Sequence, residues 1–177
     1  GDFNCSRNSL ISLFEGPTEV NDFDCSYNQL KNLSYAPKEV KGNFDCSNNL
    51  IDSVKGMPRT VKGYFNCSIN KIATLKGGPK YIDATFDCSQ NLIDRLTGGP
   101  VSVGQDYLCF KNNLTDLDGV ADEIGFDLVS DIRLNHLSST FNEEEKTWRY
   151  KGSEVISHIY KPIVALTNVD DISRWLR

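Results

Sequence analysis

Six cysteines, Cys5, Cys25, Cys46, Cys67, Cys88 and Cys109, are the residues of this chain with most chemical potential. Thiols can be joined as disulfides, can ligate a soft metal, or can attack as thiolate nucleophiles. The two histidines, His136 and His158, lie far downstream of the first cysteines and show no metal-ligand spacing, so they are assigned to surface or packing roles. Glu143, Glu144 and Glu145 form a run expected to be solvated. There is no phosphate-binding glycine loop and no serine nucleophile motif; Gly77-Gly78-Pro79 and Gly98-Gly99-Pro100 suit turns. No cofactor or metal is expected.

The cysteines are better explained by their period. They are separated by 20 residues once and then by 21 four times. Three residues after each stands an asparagine: Asn8, Asn28, Asn49, Asn70, Asn91 and Asn112. Aliphatic residues follow at Leu10, Leu30, Ile51, Ile72, Ile93 and Leu114, and at Leu13, Leu33, Val54, Leu75, Leu96 and Leu117. Prolines come next, from Pro17 to Pro100, each trailed by Val or Ile, as at Val20 and Ile82. Two positions before each cysteine is an aromatic: Phe3, Phe23, Phe44, Phe65, Phe86 or Tyr107. Such self-similarity marks a solenoid, because one unit is too small to bury its own apolar face and must stack on the next.

Within a unit, aromatic, polar residue and cysteine alternate as in a short strand with the aromatic and the cysteine turned inward. The asparagine amide then bends the chain away by satisfying backbone groups of neighbouring turns, which would cost about 1–3 kcal/mol each if buried unpaired. Proline suits an extended return segment outside the sheet. Strands about 4.8 Å apart give a sheet roughly 30 Å wide over six or seven coils. In the inward slot a cysteine acts as a small hydrophobe. The expectation is a reduced ladder, which favours the cytoplasm. Four glycosylation triplets, at Asn4, Asn32, Asn66 and Asn113, are discounted as by-products of the repeat or chance.

The string Val-x-x-Phe-Asp-Cys-Ser-x-Asn-x-Leu-x-x-Leu, at Val20 to Leu33, resembles the leucine-rich-repeat consensus with Cys in a Leu slot. Its wording is closest to short-repeat proteins of tailed bacteriophages and bacteria. The resemblance implies an α/β repeat class: a leucine-rich-repeat solenoid with a single curved parallel sheet, mostly extended return segments and a C-terminal helical cap. From the second unit on, one extra residue stands between the Val and Phe columns, as in Val40-Lys41-Gly42-Asn43-Phe44, which bears on the local bend. The solenoid is expected over 1–130 and the cap over 131–177. Ile124 to Val129 reads as a degenerate coil with Leu128 in the cysteine slot. Ser153 can cap a helix carrying Val155, Ile156, Ile159, Ile163 and Leu166, kinked or ended by Pro162. A second helix begins at Thr167 or Asn168 and buries Val169, Ile172, Trp175 and Leu176. Phe141 to Lys151 is expected as loop with some helix or strand. Some bacterial effectors join similar short repeats to a ubiquitin-ligase domain with a nucleophilic cysteine. Here the last cysteine is Cys109, inside the repeats, so that chemistry has no place in the tail.

The remaining strand residues are expected to face outward on the concave sheet. Before the aromatic stand Asp2, Asp22, Asn43, Tyr64, Thr85 and Asp106; after it stand Asn4, Asp24, Asp45, Asn66, Asp87 and Leu108. After the cysteine come Ser6, Ser26, Ser47, Ser68, Ser89 and Phe110. None is Lys or Arg, although the chain has 19 basic residues. Inheritance by duplication explains small polar residues there, whereas stacked carboxylates call for a cationic partner. The expected partner surface joins Asp22, Asp24, Asp45, Asn66, Asp87 and Asp106 with Tyr27, Tyr64, Tyr107 and Phe110 at its border, suited to a basic, partly apolar protein. The net charge of −5 and this acidic face argue against nucleic acid. No apolar run is long enough to span a membrane. The chain opens in the middle of the pattern, so a missing signal peptide says little. The function expected is non-catalytic binding of another protein, as an inhibitor or adaptor encoded by a phage or bacterium. A virion or adhesin component is the alternative, and an enzyme in residues 130–177 a third.

Overall fold

The structure, a computed structural model, describes residues 1–126 and 128–130, and beyond them the strand residues 139–142, 147–150 and 164–165. It is a parallel β-solenoid of about six turns built from very short strands. In chain order these are β1 (Phe3–Asn4), β2 (Glu19–Val20), β3 (Phe23–Asp24), β4 (Glu39–Val40), β5 (Phe44–Asp45), β6 (Thr60–Val61), β7 (Phe65–Asn66) and β8 (Tyr81–Ile82). They continue as β9 (Phe86–Asp87), β10 (Ser102–Val103), β11 (Tyr107–Leu108), β12 (Glu123–Ile124), β13 (Leu128–Ser130), β14 (Ser139–Asn142), β15 (Thr147–Tyr150) and β16 (Val164–Ala165).

The long sheet runs β1-β3-β5-β7-β9-β11-β13-β16. Its register pairs like with like, as Phe23↔Phe44, Phe44↔Phe65 and Phe65↔Phe86, so each column of the repeat becomes a physical ladder. A slip of one residue would turn every aromatic to solvent. Instead Phe23, Phe44, Phe65, Phe86 and Tyr107 are buried, with successive ring centroids 4.9 to 5.8 Å apart. Cys25, Cys46, Cys67, Cys88 and Cys109 are buried beside them, and both aliphatic columns close the same core. All six cysteines are free thiols.

The asparagines turn the chain off the sheet. Asn49 Nδ2 donates to the carbonyls of Cys25, Cys46 and Ser47 at 3.0 to 3.2 Å, and its Oδ1 accepts from Leu30 N at 3.0 Å. Asn28, Asn70, Asn91 and Asn112 repeat the pattern. The residue before each asparagine is left-handed: Arg7, Tyr27, Asn48, Ile69, Gln90 and Lys111 have φ between 52° and 55°. Strand alternation therefore stops at the cysteine.

The expectation of a single sheet is corrected. The return segments pair as well, β2 with β4 and β12-β10-β8-β6 in a second line. Stacked coils bring these backbones within bonding distance, and Gly104 N to Ile82 O at 2.8 Å is one of the bonds that result. The extra residue of the later units is accommodated by side chains: Asp22 Oδ1 accepts from Asn43 N at 2.7 Å, and Asn43 Oδ1 from Tyr64 N at 3.0 Å.

Leu128 is also corrected. The register Tyr107↔Leu128 puts it in the aromatic slot, and Ser130 follows in the cysteine slot. Phe141 to Lys151 contains much of an antiparallel hairpin of β14 and β15, with Phe141 opposite Trp148. The expected cap helices lie outside the described residues, except that Val164 and Ala165 form a strand beside β13 where the first helix was expected to reach Leu166. His136, His158 and Glu143 to Glu145 also lie outside the described residues.

Candidate functional site

The outward column of the long sheet is locked by its own side chains. Asp24 Oδ1 accepts from Ser26 N, Asp45 Oδ1 from Ser47 N and Asp87 Oδ1 from Ser89 N, each at 2.9 Å. Asn4 and Asn66 close the same turn onto Ser6 N and Ser68 N, at 2.9 and 3.0 Å. The turn requires one side-chain oxygen two residues before the accepted N–H, and Asn or Asp supplies it equally well. Sideways, Asn4 Nδ2 donates to Asp24 Oδ2 at 3.1 Å and Asn66 Nδ2 to Asp45 Oδ2 at 3.2 Å. Register sets Asp24 directly beside Asp45.

These carboxylates are half-buried. Burial pushes the carboxyls of Asp45 and Asp87 above the ordinary value, and neighbouring Asp24 adds to it for Asp45, as Asp45 does for Asp87. Burial also raises the Tyr64 phenol, with Asp45, Asp24 and Asp22 adding to it, so Tyr64 keeps a neutral hydroxyl.

Asp45, Tyr64, Asn66 and Asp87 line a single cavity of about 370 Å³ with Ala84, Thr85, Gln105 and Leu108. It brings together four of the residues expected at the partner surface. Ala84 and Gln105 were not anticipated; they occupy the position two before the aromatic, opened to the face by the extra residue of the later units. Asp22 sits half-buried in the column beside the cavity, bonded to the next coil. Asp106 is half-buried in that same column.

The border expected for this surface is corrected in part. Tyr107 fills the aromatic slot of the core and meets Phe86 edge-on, with centroids 4.9 Å apart. Phe110 is buried in a small cluster with Leu108 and Val129. Ser26, Ser47, Ser68 and Ser89 are likewise buried, because the left-handed residue after them has already turned the chain. Tyr27 is exposed at that corner, with the Arg7 guanidinium 4.5 Å from its ring centroid, a cation–π contact.

Compared with protein-family models, curated proteins and solved structures, the chain finds no match.

The buried thiols have the opposite of an activated environment: burial pushes Cys25, Cys46, Cys67 and Cys88 far above the ordinary thiol value. No group of three or more His, Cys, Asp or Glu among the described residues is arranged to hold a metal ion. No helix among the described residues is long and apolar enough to cross a membrane.

Proposed function

We propose that the chain is a non-catalytic protein-binding module whose outward sheet face takes a basic, partly apolar protein surface. One observation carries this. The turn that ends each strand is made by Asn4 and Asn66 as well as by Asp24, Asp45 and Asp87. Where the turn forms, it takes an oxygen acceptor of either kind and has no need of charge, and Leu108 ends the column with neither. Three positions nevertheless carry carboxylates, two of them at a desolvation cost. A cationic partner offsets that cost, because a lysine or arginine entering the cavity pairs with Asp45 and Asp87 while its stem lies on Leu108.

The resemblance of the repeat to leucine-rich repeats of phages and bacteria supports the same reading, since such solenoids act through strand faces. It suggests an inhibitor or adaptor of a host protein, acting in the cytoplasm.

The variant Asp24→Asn/Asp45→Asn/Asp87→Asn tests the proposal because it removes charge and keeps every turn. Immobilised wild-type chain should capture a protein with a basic surface from a lysate of the source cells, in a salt-sensitive manner. The variant should retain less than about a tenth of that capture. Equal capture by both would overturn the assignment.

A further inference from the structure

We infer that the basic return side of one copy docks on the acidic sheet face of a second copy, so that chains associate side by side. This rests on the proposal that the sheet face is a docking surface. The two lines of strands enclose one core, so their outward side chains leave it on different sides. The sheet face carries no Lys or Arg in its strand columns. The return side of the middle coils carries Lys38, Arg59 and Lys80 in one column, Lys55 and Lys76 in a second, and Lys41 and Lys62 in a third, against the two acids Glu39 and Asp83. All but half-buried Lys80 are exposed.

Segregation keeps the return-side cations away from the sheet-face carboxylates. Between described residues a single ion pair forms, Lys62 with Asp83 at 3.1 Å. Two of the cations are fixed in place: Lys38 Nζ donates to Gly56 O at 2.7 Å, and Lys80 Nζ to Gly98 O and Gly99 O at 2.6 and 2.8 Å. Each reaches the turn of the following coil, so positive charge climbs the solenoid at one step per coil.

The period of that row selects the occupant. Acidic and basic rows both advance by one coil, about 4.8 Å. A second copy presents carboxylates in the same step as the cations. A DNA strand carries one charge per about 3.4 Å of axis and falls out of step. An extended acidic peptide, with side chains on one face about 6.6 Å apart, does so too. Face-to-back contact is heterologous and leaves a free face at one end and a free back at the other.

Two variants test this by sedimentation. Lys55→Glu/Arg59→Glu/Lys76→Glu reverses the back at exposed positions, and Asp24→Asn/Asp45→Asn/Asp87→Asn neutralises the face. Wild-type chain should self-associate with rising concentration in about 50 mM salt, and at least about tenfold more weakly in about 500 mM. Each variant alone should be monomeric, and an equimolar mixture should form a one-to-one dimer and nothing larger. A monomeric wild type, variants that associate like wild type, or a mixture that stays monomeric would each overturn the inference. So would a monomeric wild type whose back binds a short single-stranded oligonucleotide. A monomeric wild type that still captures a basic protein through its face leaves the proposed function standing, so the two failures are distinct.

Discussion

Asn91 Nδ2 donates a hydrogen bond of 3.0 Å to the carbonyl of Cys67, one coil before its own. The same amide group serves Cys88 O and Ser89 O at 3.1 Å, and Oδ1 accepts from Ile72 N at 2.9 Å. One buried side chain thus supplies partners for four backbone groups in two coils. Asn91→Ala leaves Ile72 N without a partner and takes one of two donors from each of the three carbonyls, so it should lower stability by about 1–3 kcal/mol, measured by urea unfolding. Asn91→Asp should be at least as harmful at neutral pH, because a carboxylate has no hydrogen to donate. A loss under about 1 kcal/mol for the alanine would show that the ladder does not hold the turn.

Tyr107 stands in the column that phenylalanine fills in the five coils before it. Its Oη is buried without a hydrogen-bond partner among the described residues, next to the space left by Gly99. Tyr107→Phe should stabilise the fold by about 1–2 kcal/mol, read as a higher melting temperature. A destabilised variant would mean that the hydroxyl is satisfied after all.

Ile69 holds φ of 52°, a left-handed conformation that a β-branched side chain adopts at a cost. Asn48 occupies the same slot one coil earlier at 54°. Ile69 is 42% exposed, so little burial is lost on replacement. Ile69→Asn should gain about 1 kcal/mol in thermal or chemical unfolding. No gain would show that Ile69 makes compensating contacts.

Burial raises the Asp87 carboxyl above its ordinary 3.8. A group raised in the folded state contributes stability that is whole below its unfolded value and lost as pH rises through the folded one. At neutral pH the ionised Asp87 is therefore a burden. Asp87→Asn, which keeps the turn onto Ser89, should raise the melting temperature at pH 7, with the gain fading towards pH 3. A pH-independent gain would assign the effect to packing instead of charge.

By itself the sequence determined the period, and through it the inward aromatic and cysteine columns and the asparagine turn. Those features rest on contacts between equal positions of neighbouring coils, which a fixed spacing already specifies. It did not determine which polar positions stay exposed. Phe110 looked available by alternation, but alternation ends where the left-handed residue turns the chain, and Tyr107, expected at the border, stays in the inward aromatic column. The slot of Leu128 was likewise set by pairing with Tyr107, since the degenerate coil lacks the cysteine that marks register. Only the tertiary structure showed that Asp24, Asp45 and Asp87 do a turn's work that asparagine does as well. Hydrogen-bond direction and desolvation depend on neighbours that no spacing encodes.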